Sequence, residues 1–89
     1  MLNNLESKIR EILAEIIDLQ IPVSQIGIYD ELKNFGVDSI SYIKMLVALE
    51  EEFSFETDDD FLAYNSLPNI TAITEYVKSK IQESKNVSG

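Results

Sequence analysis

The sequence contains no cysteine and no histidine. Disulfides are therefore impossible, and the usual Cys/His metal sites have no ligands. Thiol nucleophiles and imidazole bases are missing as well, so an enzyme built from this chain would have to run on Asp, Glu, Lys, Ser or Tyr alone. Three glycines and two prolines leave room for long helices. No apolar run approaches the length of a membrane span. Glu6, Lys8, Arg10 and Glu11 interrupt the segment where a signal peptide would need its apolar stretch. Basic residues are few, 7 against 16 acidic, for a net charge of −9. Such a surface repels nucleic-acid phosphate and anionic lipid, and it suits partners that present lysine and arginine. The expectation is a soluble cytoplasmic protein with no nucleic-acid or membrane partner, and a monomer as the simplest state.

What is present is a chain of 89 residues, 45% of them apolar. That length sets a single domain, residues 1–89, with a thin core. The apolar spacing reads as helix nearly throughout. Leu5, Ile9, Ile12, Leu13, Ile16 and Ile17 form one helical stripe, capped by Asn3 or Asn4 and ended by Pro22. From Gln20 to Val37 the pattern breaks at Pro22, Gly27 and Gly36, yet Ile21, Val23, Ile26, Ile28, Leu32 and Phe35 make this connection too apolar to float free. It is expected to pack across the core, with a helical turn near Asp30 to Lys33.

A second helix is expected from Asp38 or Ser39 to about Phe53. Its buried stripe would be Ile40, Ile43, Leu46, Val47 and Phe53, with Leu49 at the edge and Ser41, Lys44, Ala48 and Glu51 toward the opposite side. Thr57 and Asp60 have the spacing of a capping box, predicting a short third helix that buries Phe61, Leu62 and Tyr64. A last helix begins near Asn69 to Thr71, uses Ile70, Ile73, Tyr76, Val77 and Ile81, and frays into a polar tail from Gln82. The predicted fold class is all-α, a four-helix bundle with a long loop between helices one and two and a short third helix.

The stretch Gly36-Val37-Asp38-Ser39-Ile40 closes the long loop and opens the second helix. Gly36 permits a sharp turn, Asp38 can accept the first free N–H groups, and Ser39 would stand exposed at the positive end of a helix dipole, where a phosphate ester is favoured. Ile40 and Ile43 would anchor that end of the helix. Asp-Ser before an apolar run is also an ordinary helix start. Half of the carboxylates fall between Asp38 and Asp60, and Glu50, Glu51, Glu52 and Glu56 can form an acidic patch. Charges of this kind mainly speed and orient association; a solvated, soluble surface is the plainer reading of any single one. Phe35, Phe53, Phe61 and Tyr76 are expected in the core, while Tyr42 and Met45 are candidates for contact with a ligand or partner. The Asp58 to Asp60 run lacks the ligand spacing and turn glycine of a calcium loop, and no catalytic constellation or metal site is visible.

The run Asp30-Glu31-Leu32-Lys33-Asn34-Phe35-Gly36-Val37-Asp38-Ser39-Ile40 resembles the attachment site of acyl carrier proteins, whose pattern is Asp, x, Leu, then Gly, x, Asp-Ser and an aliphatic residue. Val47 to Phe53 resembles the second helix of that family and Ile70 to Ile73 the start of its last one, so the resemblance spans about Leu5 to Ile81. It implies a carrier that is not itself an enzyme, with covalent 4′-phosphopantetheine on Ser39 and Gly36, Asp38 and Ile40 shaping the site. A phosphopantetheinyl transferase would install the arm from coenzyme A, and the arm's thiol would hold an acyl or aminoacyl group as a thioester. The family also implies docking of loading and transfer enzymes with basic patches on the second helix, here around Ser41, Tyr42, Lys44, Glu50 and Glu51. Whether cargo would enter between Ile43, Leu46, Phe61 and Ile73 is left open by the sequence.

Two departures from fatty-acid-synthase carriers stand out. Ser41 and Lys44 occupy positions usually acidic, and the stretch between Phe53 and Thr71 is a few residues longer. Both point toward a stand-alone carrier in a polyketide, nonribosomal peptide or related specialised pathway. A D-alanyl or other aminoacyl carrier is an alternative, as is an acidic helical adaptor that never receives an arm.

Overall fold

A computed structural model describes the backbone of residues 2–87 and the side chains of residues 4–82. It contains three α-helices, α1 (Leu2–Ile16), α2 (Ser39–Phe53) and α3 (Ile70–Val87), and no strand among the described residues. Single 3-10 turns lie at Val23–Gln25, Leu32–Phe35 and Asp59–Phe61. The all-α expectation holds; the fourth helix does not. The segment expected to form a short helix makes one 3-10 turn instead.

The reason is local. Thr57 does not cap: the turn begins two residues later, with Asp58 at its N-cap position and no side-chain cap bond. The Thr57 N–H donates to the Glu50 carboxylate (2.7 Å), and its buried hydroxyl finds no partner among the described residues. Leu62 and Tyr64, expected inside, are each 45% exposed. A helix must bury a stripe to form at this length, and here only Phe61 packs on the core.

α1 carries its predicted stripe inward. Ile9, Ile12, Leu13 and Ile17 are buried, with Leu5 and Ile16 packed beside them. Its bounds differ from expectation at both ends. The helix already runs at Leu2, so Asn3 and Asn4 lie within it rather than capping it, and it stops at Ile16, well before Pro22. α3 buries Ile70, Ile73, Tyr76 and Val77, and its backbone continues to Val87 instead of fraying at Gln82. The last two residues of the expected polar tail lie outside the described residues.

α1 packs against both other helices. A Lys8–Glu52 ion pair (3.3 Å) joins its beginning to the end of α2, and Ile16 lies beside Ile43 and Ala48 at the other end, so the two run antiparallel. The connection over residues 54–69 returns along the bundle: Asp58 meets Tyr76 and Lys80 in the middle of α3, and α3 begins where its Thr71 N–H donates to the Ile28 carbonyl (3.0 Å).

The long first connection is held to α1 by Arg10. Its guanidinium donates to the carbonyls of Val23 and Ile26 and pairs with Glu6 at 2.9 Å. Ile26, Leu32 and Val37 then plug into the core, as the apolar content of that segment predicts. The expected turn is present at Leu32–Phe35. Each fully buried aliphatic side chain of this kind contributes roughly 1.5–3 kcal/mol.

Candidate functional site: the start of helix α2

Gly36 ends the 3-10 turn in a left-handed conformation (φ 107°), and an added Cβ there would meet the Asp18 carbonyl oxygen at 3.2 Å. Only glycine takes both the backbone angle and the close approach without strain. Asp38 is extended, and its carboxylate accepts the Ser41 N–H at 2.8 Å while its carbonyl accepts the Tyr42 N–H at 2.8 Å. This is the N-cap read from the sequence. The Ser41 backbone N–H, chiefly, holds the Asp38 carboxyl below its ordinary pKa, so the cap is an anion at neutral pH.

Ser39 is the first residue of α2 and is exposed. Helix geometry leaves the N–H groups of the first turn without intrahelical acceptors, and Asp38 engages that of Ser41. The hydroxyl of Ser39 therefore stands in solvent on the end of a 15-residue helix, beside amides suited to an anionic group. Chemically it offers an alcohol for esterification and, with no imidazole in the chain, no built-in base. Among the described residues no cluster of Asp and Glu could hold a metal ion.

The aliphatic residues after Ser39 are not where the sequence reading put them. Ile40 is 68% exposed, and Ile43 and Val47 are each 46% exposed. They do not anchor the helix. Tyr42, Met45, Leu46 and Leu49 are the buried face. At 100° per residue the two sets lie on opposite sides of the same helix, so the outward face of α2 carries an aliphatic stripe. Beside it Ile16, Ile43, Lys44, Val47, Ala48 and Glu51 line an open groove against the end of α1.

The expected docking residues are dispersed by this geometry. Lys44 and Glu51 face solvent, and Ser41 is half-buried. Glu50 turns back to accept the Thr57 N–H, and Glu52 pairs with Lys8, so two acids of the patch are engaged within the fold. Tyr42 is 2% exposed and cannot meet a partner. Its hydroxyl donates to the Phe61 carbonyl (2.8 Å) and accepts the Leu67 N–H (3.1 Å), and burial raises its pKa. Met45 is likewise fully buried. Of the four predicted core aromatics, Tyr76 is buried and Phe35, Phe53 and Phe61 pack against the core while partly exposed.

One residue near the site gave no signal in the sequence. Tyr64 donates its hydroxyl to the Val37 carbonyl at 2.7 Å, one residue before the cap. A tyrosine in a polar loop, 27 residues away along the chain, has no spacing that would reveal such a bond.

Known proteins resemble this chain over most of its length. Residues 7–77 match the family model described as a phosphopantetheine attachment site. An aminoacyl carrier protein of Agrobacterium fabrum is 34% identical over 83% of this chain and 89% of its own length. An acyl carrier protein of Buchnera aphidicola is 26% identical over 89% of this chain and 96% of its own. Among solved structures, the crystal structure of an engineered Bradyrhizobium japonicum glycine:[carrier protein] ligase, complexed with a carrier protein from Agrobacterium tumefaciens and ATP, contains a similar chain. It is 33% identical, with a TM-score of 0.78 over 84% of this chain and 97% of that one. No described helix is long and apolar enough to cross a membrane. The match over most of the chain, and an exposed serine at a capped helix start, make this protein a member of the acyl carrier protein family, a phosphopantetheine-bearing carrier and not a catalyst.

Proposed function

We propose that this chain carries an aminoacyl group on 4′-phosphopantetheine attached to Ser39. The observation that carries the reading is the exposed Ser39 hydroxyl on the first turn of α2, fixed by the Asp38 cap and the Gly36 turn. The prosthetic group supplies a terminal thiol that holds cargo as a thioester. The protein's own part is to present that group on a rigid helix end and to be recognised. Asp38 and Gly36 set the direction of Ser39, and Ile40, exposed next to it, is an apolar contact for the arm or for an enzyme approaching it.

Aminoacyl cargo is favoured over fatty acyl cargo by two observations. The Agrobacterium relative at 34% identity is named an aminoacyl carrier protein, and the similar chain of known structure was solved with a glycine:[carrier protein] ligase and ATP. An ATP-dependent ligase of that class is the proposed loading partner, after a phosphopantetheinyl transferase has installed the arm. The outward face of α2 is the proposed docking surface: Ile40, Ile43 and Val47 at its centre, Lys44 and Glu51 on its flank. Its aliphatic centre supports docking through apolar contact more than through an acidic patch, since Glu50 is tied to the Thr57 N–H and Glu52 shares its charge with Lys8 in an exposed ion pair. A cytoplasmic setting, where coenzyme A is supplied, belongs to the same reading, as does a monomeric state.

The test is intact mass after incubation with coenzyme A and a broad-specificity phosphopantetheinyl transferase, beside the Ser39→Ala variant. One phosphopantetheine gained by the parent alone is the expected result. No gain with several active transferases would return the chain to the role of an acidic helical adaptor. Loading of the modified parent with glycine, D-alanine and other amino acids by carrier-protein ligases then identifies the cargo.

A further inference from the structure

The loop over residues 62–67 hangs from the buried hydroxyl of Tyr42, which bonds Phe61 on one side and Leu67 on the other. Within that loop Asn65 takes a left-handed conformation (φ 68°), and Tyr64 just before it folds back toward α2. The ring of Tyr64 meets that of Tyr42 edge-on, with centroids 6.0 Å apart and planes at 87°. Its hydroxyl donates to the Val37 carbonyl at 2.7 Å, yet the residue is 45% exposed. A tyrosine that merely filled the core would be covered. One that merely decorated the surface would not commit its hydroxyl to a distant backbone carbonyl.

The carbonyl it holds belongs to the peptide between Val37 and Asp38, and the plane of that peptide sets where Asp38 and Ser39 point. The other bond at this residue is weak: the Val37 N–H reaches the Leu32 carbonyl only at 3.4 Å. Tyr64 provides the short one. We infer that Tyr64 is a positioning residue for the transfer of phosphopantetheine to Ser39, through its hydroxyl on the Val37 carbonyl. The inference rests on the reading of Ser39 as the attachment point. In that transfer the Ser39 oxygen bonds to the phosphorus of coenzyme A nearer the pantetheine, and the bond from that phosphorus to the bridging oxygen breaks. Adenosine 3′,5′-bisphosphate leaves, and the hydroxyl proton passes to a base on the transferase. A nucleophile held in one direction reaches this geometry more often than one that swings.

The experiment compares Tyr64→Phe with Tyr76→Phe in the full chain. Tyr76 is a matched control, because its hydroxyl also ties the connection to a helix, donating to the Asp58 carboxylate at 2.9 Å, but makes no bond to the turn that holds Ser39. Each variant loses a hydroxyl and melts about 5 °C lower. Well below both melting temperatures, only Tyr64→Phe is expected to slow modification of Ser39, by about fivefold and in kcat more than in KM. Only Tyr64→Phe is expected to speed amide hydrogen exchange at Ser41 and Tyr42, whose N–H groups bond to Asp38. Equal modification rates in the two variants, or unchanged exchange at those amides, overturn the role of Tyr64 while leaving Ser39 as the attachment point. A parent that takes no phosphopantetheine overturns the attachment reading itself, and the transfer role of Tyr64 with it.

Discussion

Helix α2 has two apolar faces, and they meet different surroundings. The inner face, Tyr42, Met45, Leu46 and Leu49, is sealed against α1 and α3. The outer face, Ile40, Ile43 and Val47, is open. Chemically the outer residues are as hydrophobic as the inner ones, so hydrophobicity alone does not tell packing from recognition. What separates them is register: Ser39 must face outward at the start, Asp38 must cap, and Tyr42 must bring its hydroxyl to Phe61 and Leu67. Once those three are satisfied, the aliphatic stripe that follows Ser39 is turned to solvent.

The comparison breaks if the faces prove energetically alike. The largest expected effect is from Leu49→Ala, which empties a fully buried site and costs about 2–5 kcal/mol. Val47→Ala, by contrast, should stay within about 0.5 kcal/mol. Chemical denaturation measures both, and equal costs would place Val47 in the core after all. Next comes Tyr42→Phe, which strands the buried Leu67 N–H and costs about 1–3 kcal/mol. The same hydroxyl gives the inner face a pH signature. Burial raises the Tyr42 pKa in the fold above the ordinary value of 10.0, so its contribution is whole below that value and is lost as pH rises through the folded one. Melting temperature against pH should fall on the alkaline side in the parent, and less steeply in Tyr42→Phe.

The outer face is tested by function instead. Ile43→Gln keeps a good helix former and should leave melting nearly unchanged, while lowering the catalytic efficiency of a loading ligase about tenfold. Normal loading would mean that the stripe is not the docking surface. The smallest effect belongs to Lys44→Glu. Stability is expected to hold, and the loading rate to change by about twofold in low salt, with the difference fading as salt screens the charge.

Much of the local geometry around Ser39 is legible in the sequence. Gly36 and Asp38 announced their roles because each reflects a local rule, a left-handed turn and an N-cap, that neighbouring residues alone decide. The helices α1 and α3 were legible because polar residues mark their outer sides. The extent of α2 was legible too, but not which face it buries, since between Ile40 and Leu49 apolar residues occur on every side of the helix, and periodicity cannot choose between two apolar stripes. The third helix was misread for a related reason. A capping box signals a start, but a helix also needs a face to bury, and after Phe61 the chain turns away to hang from Tyr42. The bonds of Tyr42 and Tyr64 to carbonyls 19 and 27 residues distant depend on how elements meet, which no local pattern encodes.

An open stripe of isoleucine and valine is as attractive to a second copy of the chain as to an enzyme. The charge of −9 opposes that pairing, since like-charged molecules repel one another. Added salt weakens that repulsion at long range while leaving apolar attraction intact. If the stripe is the docking surface, a concentrated, salty solution is expected to set identical molecules in competition with the enzymes for it. In the proposed reading, the acids that the fold leaves facing water act as spacers that hold the surface vacant for a visitor of another kind.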